Sequence, residues 1–325
     1  MFFNRRTIVG AVALKGSIMR IVIDPGKERR TINFIDNICY SQVKDLDGNP
    51  LNLCLSLMVQ NGNSEMRLAS GRDDEVSTGL QPLIVWINGA GWRKCDKNLM
   101  AAEMQYFAEN GYAVACIEYR HSGIGHFPDQ LIDVKTAVRF LRTHAKDYSI
   151  DPDRIATMGR SAGGHLSAWM AMNTDGYDSD EWADVSSNVQ AAVDFFGPVD
   201  IKTCNLIEIE NFKNPTHRWH KIEETHGGAL LGGDPATMLE RSDAASPIFH
   251  ISNRTAPIII LHGDQDPLVP VSMSEDFYNR LEKAGLADQS ELYIVKNGGH
   301  GTRELFQMEC KQLVLDFLDK YLKNK

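Results

Sequence analysis

Residues 155–172 read Ile155-Ala156-Thr157-Met158-Gly159-Arg160-Ser161-Ala162-Gly163-Gly164-His165-Leu166-Ser167-Ala168-Trp169-Met170-Ala171-Met172. Ile155 to Met158 is a short apolar run that predicts a strand, and His165 to Met172 predicts a helix. Between them lies Gly-x-Ser-x-Gly, the nucleophile elbow, in the strand–turn–helix context it requires. Glycines two before and two after Ser161 let strand and helix approach closely. The helix N-terminus turns free N–H groups and a positive dipole end towards developing negative charge. A glycine-rich turn carrying an incidental serine is the bland alternative, and the context argues against it.

Strands and helices alternate on both sides of this segment. Pro82 to Ile87 (PLIVWI) is a continuous apolar run, as expected for a strand buried on both faces of a parallel sheet. Leu99 to Glu109 predicts a helix and Tyr112 to Ile117 the next strand. Gln130 to His144 places Leu131, Val134, Val138 and Leu141 at a helical period. Ala191 to Phe196, Pro257 to Leu261 and Leu292 to Val295 predict strands; Val271 to Leu281 and Glu304 to Leu322 predict helices. This alternation implies a mostly parallel sheet covered by helices on both faces. Functional residues then gather at the carboxyl ends of the strands.

Three further motifs fall at that edge. Asn88-Gly89-Ala90-Gly91-Trp92 follows the Pro82 strand. A loop of small residues can bring backbone N–H groups onto a carbonyl oxygen, so Ala90 and Gly91, with Ala162 after the serine, are the candidate oxyanion donors. His262-Gly263-Asp264-Gln265-Asp266-Pro267 follows the Pro257 strand and offers two carboxylates. Asp266 is the chosen acid, and Asp264 fits a turn-former. Asn297-Gly298-Gly299-His300-Gly301 follows the next strand and supplies the base, His300. The order Ser161, Asp266, His300 is that of an α/β-hydrolase triad.

The chain resembles the α/β-hydrolase esterases, in particular the group related to hormone-sensitive lipase and to the acetyl-xylan and feruloyl esterases. The resemblance runs from about Pro82 to the C-terminus. It includes Tyr119-Arg120, Phe127 to Arg142 (FPDQLIDVKTAVRFLR), Asp151-Pro152-Asp153-Arg154-Ile155 and Ala245-Ser246-Pro247-Ile248. The family's oxyanion loop is usually His-Gly-Gly-Gly-Trp, and here it is Asn88-Gly89-Ala90-Gly91-Trp92. That departure touches which donors act, not the reaction class. The resemblance implies hydrolysis of short-chain acyl esters, such as acetyl or feruloyl groups on plant-wall carbohydrate. No cofactor and no metal is called for.

Residues 201–245 break the β–α rhythm and carry Trp219, Phe212, His217, His220 and His226. They predict a cap over the site. Trp219 and Trp92 are the candidate substrate-binding residues, although Trp219 fits a small cap core equally well. The cap histidines lack a carboxylate or cysteine at matching helical spacing, so a metal site is not expected. Asp45-Leu46-Asp47-Gly48-Asn49 reads as a turn, not a calcium loop. Residues 61–81 are polar and turn-rich. The predicted layout is 1–81 as N-terminal extension and first strands, and 82–325 as the catalytic domain.

The 325-residue chain has a formal net charge of −9, which argues against a nucleic-acid partner and gives no reason to expect an acidic membrane surface. Homo-oligomerisation is left open. Its six cysteines are scattered without metal-ligand spacing, and Cys116 reads as a buried free thiol. Arg5-Arg6 before the apolar stretch from Thr7 to Leu14 faintly resembles a secretion signal, but no small-x-small cleavage site follows. A cytoplasmic protein is therefore expected, with secretion as the alternative. Two rival functions remain: a prolyl-oligopeptidase-like serine peptidase, and a non-catalytic binding protein on a hydrolase scaffold. About 80 residues before the first core strand are too few for the peptidase's propeller, and a binding protein should have lost a triad member.

Overall fold

The computed structural model describes residues 8–12, 20–23, 31–60, 79–212 and 221–323. It divides into two units, 1–31 and 32–325. In the first, β1 (Ile8–Val12) pairs antiparallel with β2 (Arg20–Ile23).

The second unit is built on an eight-stranded sheet. Its strands are β3 (Ile32–Lys44), β4 (Pro50–Gln60), β5 (Gln81–Ile87), β6 (Ala113–Ile117), β7 (Ile150–Arg160), β8 (Ala191–Phe195), β9 (Ile258–Gly263) and β10 (Ser290–Val295). The spatial order is β10-β9-β8-β7-β5-β6-β4-β3. Strands β5 to β10 run parallel, while β4 pairs antiparallel with β6 and β3 with β4. The β3–β4 hairpin therefore belongs to the main sheet, and the larger unit reaches back to Ile32. Asp45 makes its turn, accepting from the N–H groups of Asp47 and Asn49 at 2.9 and 2.8 Å.

The buried parallel strands explain the apolar runs. All seven residues of β5 and all five of β6 and β8 are buried. Each strand must satisfy apolar packing on both faces at once, which is why their sequences do not alternate. One face carries α2 (Asp129–Thr143) and α3 (Ala162–Ala171), with Leu131, Val134 and Leu166 in a core shared with Val85 and Ile260. The other carries α1 (Ala101–Glu109) and α8 (Met308–Leu322), with Phe107 and Phe317 packed in a core with Trp86 and Ile259. This is the α/β-hydrolase architecture anticipated above. The cysteines are free, and Cys116 is fully buried.

One expected helix is broken. Glu304 to Leu322 resolves into a 3₁₀ turn, Arg303–Phe306, and α8. Gln307 between them is extended, with φ −69° and ψ 163°, so it stands outside both as the N-cap of α8. The remaining helices are α4 (Ile201–Phe212), α5 (His226–Leu231), α6 (Leu239–Ala244) and α7 (Val271–Lys283). The first three fall in the 201–245 insertion. Trp219, His217 and His220 lie outside the described residues, as do residues 61–78 of the polar stretch. Among the described residues no helix is long and apolar enough to cross a membrane.

Candidate active site

The site begins at the junction of β7 and α3. Ser161 has φ 53° and ψ −123°, a conformation that costs a non-glycine residue of order 1–3 kcal/mol. The turn is held from both sides. Ser161 N–H donates to Phe195 O at 2.8 Å, and Ser161 O accepts from His165 N–H at 2.9 Å. The glycines set the spacing. A Cβ on Gly163 would stand 1.9 Å from Ile87 O and 2.6 Å from Ile87 C, both backbone atoms of β5. Gly163→Ala must therefore push α3 off the sheet. We expect it to cost at least about 3 kcal/mol in urea unfolding, at the upper end of overpacking effects. Gly79→Ala, whose Cβ meets nothing within 4 Å, should stay within about 0.5 kcal/mol of the parent.

Around Ser161 the predicted partners converge. Ser161 Oγ lies 2.8 Å from His300 Nε2, and His300 Nδ1 lies 2.8 Å from Asp266 Oδ2. With Nδ1–H donating to the carboxylate, Nε2 is left to accept the serine proton. The Asp266 side chain is fully buried. Its other oxygen accepts from the N–H groups of Leu268 and Val269 at 2.8 and 3.0 Å. Burial raises its pKa, but hydrogen bonds to His262 and His300 and the His300 charge outweigh this and hold it well below the usual carboxylate range. The acid thus stays ionised through the working pH range. Asp264 is exposed, and its Oδ1 accepts from Asn297 N–H at 2.7 Å. It pins the His300 loop to the β9 loop and does not touch the imidazole.

The oxyanion candidates occupy the facing wall. A Cβ on Gly89 would lie 2.9 Å from Ser161 Cβ and 3.1 Å from Ala162 N, so this loop sits directly against the serine. Gly91 has φ 59°. Among the described residues, the N–H groups of Ala90, Gly91 and Ala162 make no protein hydrogen bond, and all three residues line the same cavity. Asn88, which stands where the family pattern has histidine, is buried. Its side chain donates to Asp96 O at 3.2 Å and accepts from Arg160 Nε at 3.2 Å. Trp92 borders the cavity but is only 2 % exposed, and its indole N–H donates to His165 Nδ1 at 3.3 Å. It braces the loop from beneath and offers a substrate little surface.

The cavity measures about 540 Å³, within the range of small-molecule sites. Cys204 and Glu208 of α4 and His226 of α5 line the same cavity as Ser161. Glu208 accepts from His226 N–H at 2.9 Å and lies 2.5 Å from His226 Nδ1. A Cβ on Gly91 would meet the His226 ring at 2.1 Å, so the imidazole rests on the oxyanion loop. Sequence spacing could not find this pair, because its members lie 18 positions apart on two different helices. Among the described residues no group of three or more histidine, cysteine or acidic side chains is placed to hold a metal ion.

Two buried groups behind the elbow titrate in opposite senses. His165 is fully buried, accepts from Trp92 and lies 2.7 Å from Ala245 O. Burial lowers its pKa from 6.5 to about 4. The unfolded chain takes up a proton there between those values and the folded one does not, so this group's stability is lost as pH falls from 6.5 towards 4. Asp194 is also fully buried, with Oδ1 accepting from Gly197 N–H at 2.8 Å and Oδ2 unpartnered. Burial raises its pKa from 3.8 to about 6. Its stability is present below 3.8 and lost as pH rises towards 6. Each amounts to about 3 kcal/mol, and the two largely cancel. In urea unfolding between pH 4 and 7, Asp194→Asn should lose stability towards acid. His165→Gln should lose it towards neutral pH. Parallel slopes in the two variants would refute these assignments.

The BD-FAE family model matches residues 73–281, well over half of the chain. The chain belongs to the BD-FAE family. Among its relatives is a probable carboxylic ester hydrolase, LipM, of Mycobacterium tuberculosis (strain ATCC 25618 / H37Rv), 34% identical over 215 residues. That match covers 65% of this chain and 47% of LipM. Esterase LipQ of the same organism is 28% identical over 269 residues, covering 80% and 60%. The chain thus spans about half the length of the curated relatives it matches. A solved structure described as a truncated form of a carbohydrate esterase from gut microbiota superposes with TM-score 0.72 at 26% identity. There the match covers 92% of this chain and 99% of the other. The BD-FAE match spans Ser161 and Asp266 and ends before His300, which the structure brings to Ser161 through β10.

Proposed function

We propose that this chain is a serine carboxylic-ester hydrolase acting through Ser161, His300 and Asp266. The observation that carries the reading is the hydrogen-bonded series from Ser161 Oγ through His300 to Asp266, facing three unpaired N–H groups across one cavity. His300 Nε2 takes the serine proton as Oγ attacks the ester carbonyl. The N–H groups of Ala90, Gly91 and Ala162 receive the oxyanion. His300 then gives its proton to the departing alcohol, and water cleaves the acyl-enzyme with His300 again as base. Short-chain acyl esters of small molecules or carbohydrates are the proposed substrates, in keeping with the carbohydrate esterase among the structural neighbours. No step draws on a cofactor.

The test is a panel of 4-nitrophenyl acetate, butyrate and octanoate, methyl ferulate and acetylated xylan, run beside peptide anilides. Hydrolysis of the esters and not of the anilides is expected. Preferential anilide cleavage would favour the peptidase reading, and no turnover of any member would favour a binding protein.

A further inference from the structure

Arg160 is the first of the two variable residues of the nucleophile elbow, and it lines the cavity beside Ser161. Its guanidinium carries five N–H donors. Among the described residues only one is used, Nε donating to Asn88 Oδ1, and no carboxylate lies within ion-pair distance. The other deep-set arginines are treated differently. Arg120 pairs with Asp129 and Asp133 at 3.1 and 2.7 Å, and Arg139 pairs with Asp178 at 3.0 Å. Arg142 spends its donors on the carbonyls of Pro152, Ser186 and Asn188. Burial pulls the Arg160 pKa below the ordinary arginine value, and no neighbouring carboxylate opposes the shift. A half-buried cation without a counter-charge costs stability. Such a cation beside a reacting serine points to a role in binding.

Its orientation narrows what it binds. Asn88 fixes Nε at one end of the fork. Nη1 lies beside Gly301, where an added Cβ would stand 3.3 Å away. Gly301 follows His300, and His300 is the group that hands a proton to the departing alcohol. The Nη1 end of the guanidinium therefore stands next to the loop that carries His300, in the cavity where that residue would protonate the departing alcohol. Glu208, the carboxylate in the same cavity, has both oxygens engaged by His226. A planar fork of donors matches a carboxylate in two-point geometry. The chain's formal net charge of −9 gives such a substrate no long-range attraction, so selection must come from contact.

We propose that Arg160 binds a carboxylate on the alcohol half of the ester, so that acylated hydroxy acids, aromatic or sugar-derived, are the preferred substrate class. This rests on the ester-hydrolase reading above. The probes are 4-acetoxybenzoate and its neutral counterpart 4-acetoxybenzamide, compared by kcat/KM in the parent, Arg160→Met and Arg160→Lys. The quantity read is the acid-to-amide ratio in the parent divided by that in each variant. Intrinsic ester reactivity is common to all three proteins and cancels. So does any disturbance of the Asn88 loop that affects both esters alike.

Arg160→Met should lower the ratio about 10- to 100-fold, the worth of a charge-assisted pair. Arg160→Lys should fall between it and the parent. Raising salt from about 0.05 to about 0.5 M should lower the parent's acid-to-amide ratio, a readout that stands even if the variants fold poorly. A ratio in Arg160→Met within twofold of the parent, with both esters hydrolysed, would overturn the proposal and leave the esterase reading intact. A larger Arg160 dependence for mono-4-nitrophenyl succinate over 4-nitrophenyl butyrate would overturn the assignment to the alcohol half. Failure of the parent to hydrolyse any of the four esters would remove the esterase reading itself, and this proposal with it.

Discussion

Ser161→Ala is expected to lower kcat for ester hydrolysis by a factor on the order of 10⁶, the loss seen on nucleophile removal in a well-studied serine protease. The variant should fold as the parent does. Among the described residues the hydroxyl makes one hydrogen bond, to His300, and the turn is held by the backbone bonds of Ser161 to Phe195 and His165. Alanine keeps the Cβ and therefore the φ 53° strain, so stability should change by no more than about 0.5 kcal/mol. An organophosphonate should add one label per chain, found on the peptide containing Ser161. Retained activity in the variant, or a label on another serine, would reject the assignment.

Asp266→Asn should cost far more than Asp264→Asn, by a ratio in kcat on the order of 10² or greater. An amide at 266 would no longer hold His300 with Nδ1 protonated and Nε2 facing the serine, the error that costs about 10⁴ in the best-studied triad. Asp266 also lies 3.4 Å from the buried His262 Nε2, so asparagine would loosen a second contact. Asp264 is exposed, and among the described residues its carboxylate accepts a single loop N–H, that of Asn297. Its loss should shift the position of His300 and reduce kcat less than about tenfold. Steady-state kinetics of the two purified variants decides the matter, and equal losses would reject Asp266 as the acid.

Much of this site was legible because its members follow short apolar strands. An apolar run followed by glycines and a polar residue can be read without knowing the fold. Ser161, Asp266 and His300 each follow such a run, in β7, β9 and β10. The choice between Asp264 and Asp266 was legible for a similar reason, since Asp264 suits a turn. What escaped is held together only by tertiary contact. His262 was visible in the motif but gave no sign that it would brace Asp266 with Ser274 and Val269 behind it. Glu208 and His226 meet only after α4 and α5 fold onto the sheet edge. Asp194 looks like an ordinary strand residue until its full burial is seen. Trp92 lines the cavity, yet its indole N–H is spent on His165, which the sequence presents merely as part of a helix. The break at Gln307 was hidden because Glu304 to Leu322 keeps its apolar period across it.

The placement of these groups has a bearing on folding. The oxyanion loop follows β5, the serine follows β7, the acid follows β9 and the base follows β10. In the sheet β9 and β10 lie at one edge, while β5 has β6 and β7 as neighbours, so no local segment contains a working fragment of the site. The serine and histidine are 139 residues apart in sequence, and they meet only when β8 and β9 have filled the gap between β7 and β10. Long-range pairing of this kind forms slowly and late. On a chain synthesised from its N-terminus, the base is the last member to emerge. Ester turnover during refolding would thus be a clock for completion of the sheet, lagging behind signals such as far-ultraviolet dichroism that report helices already formed.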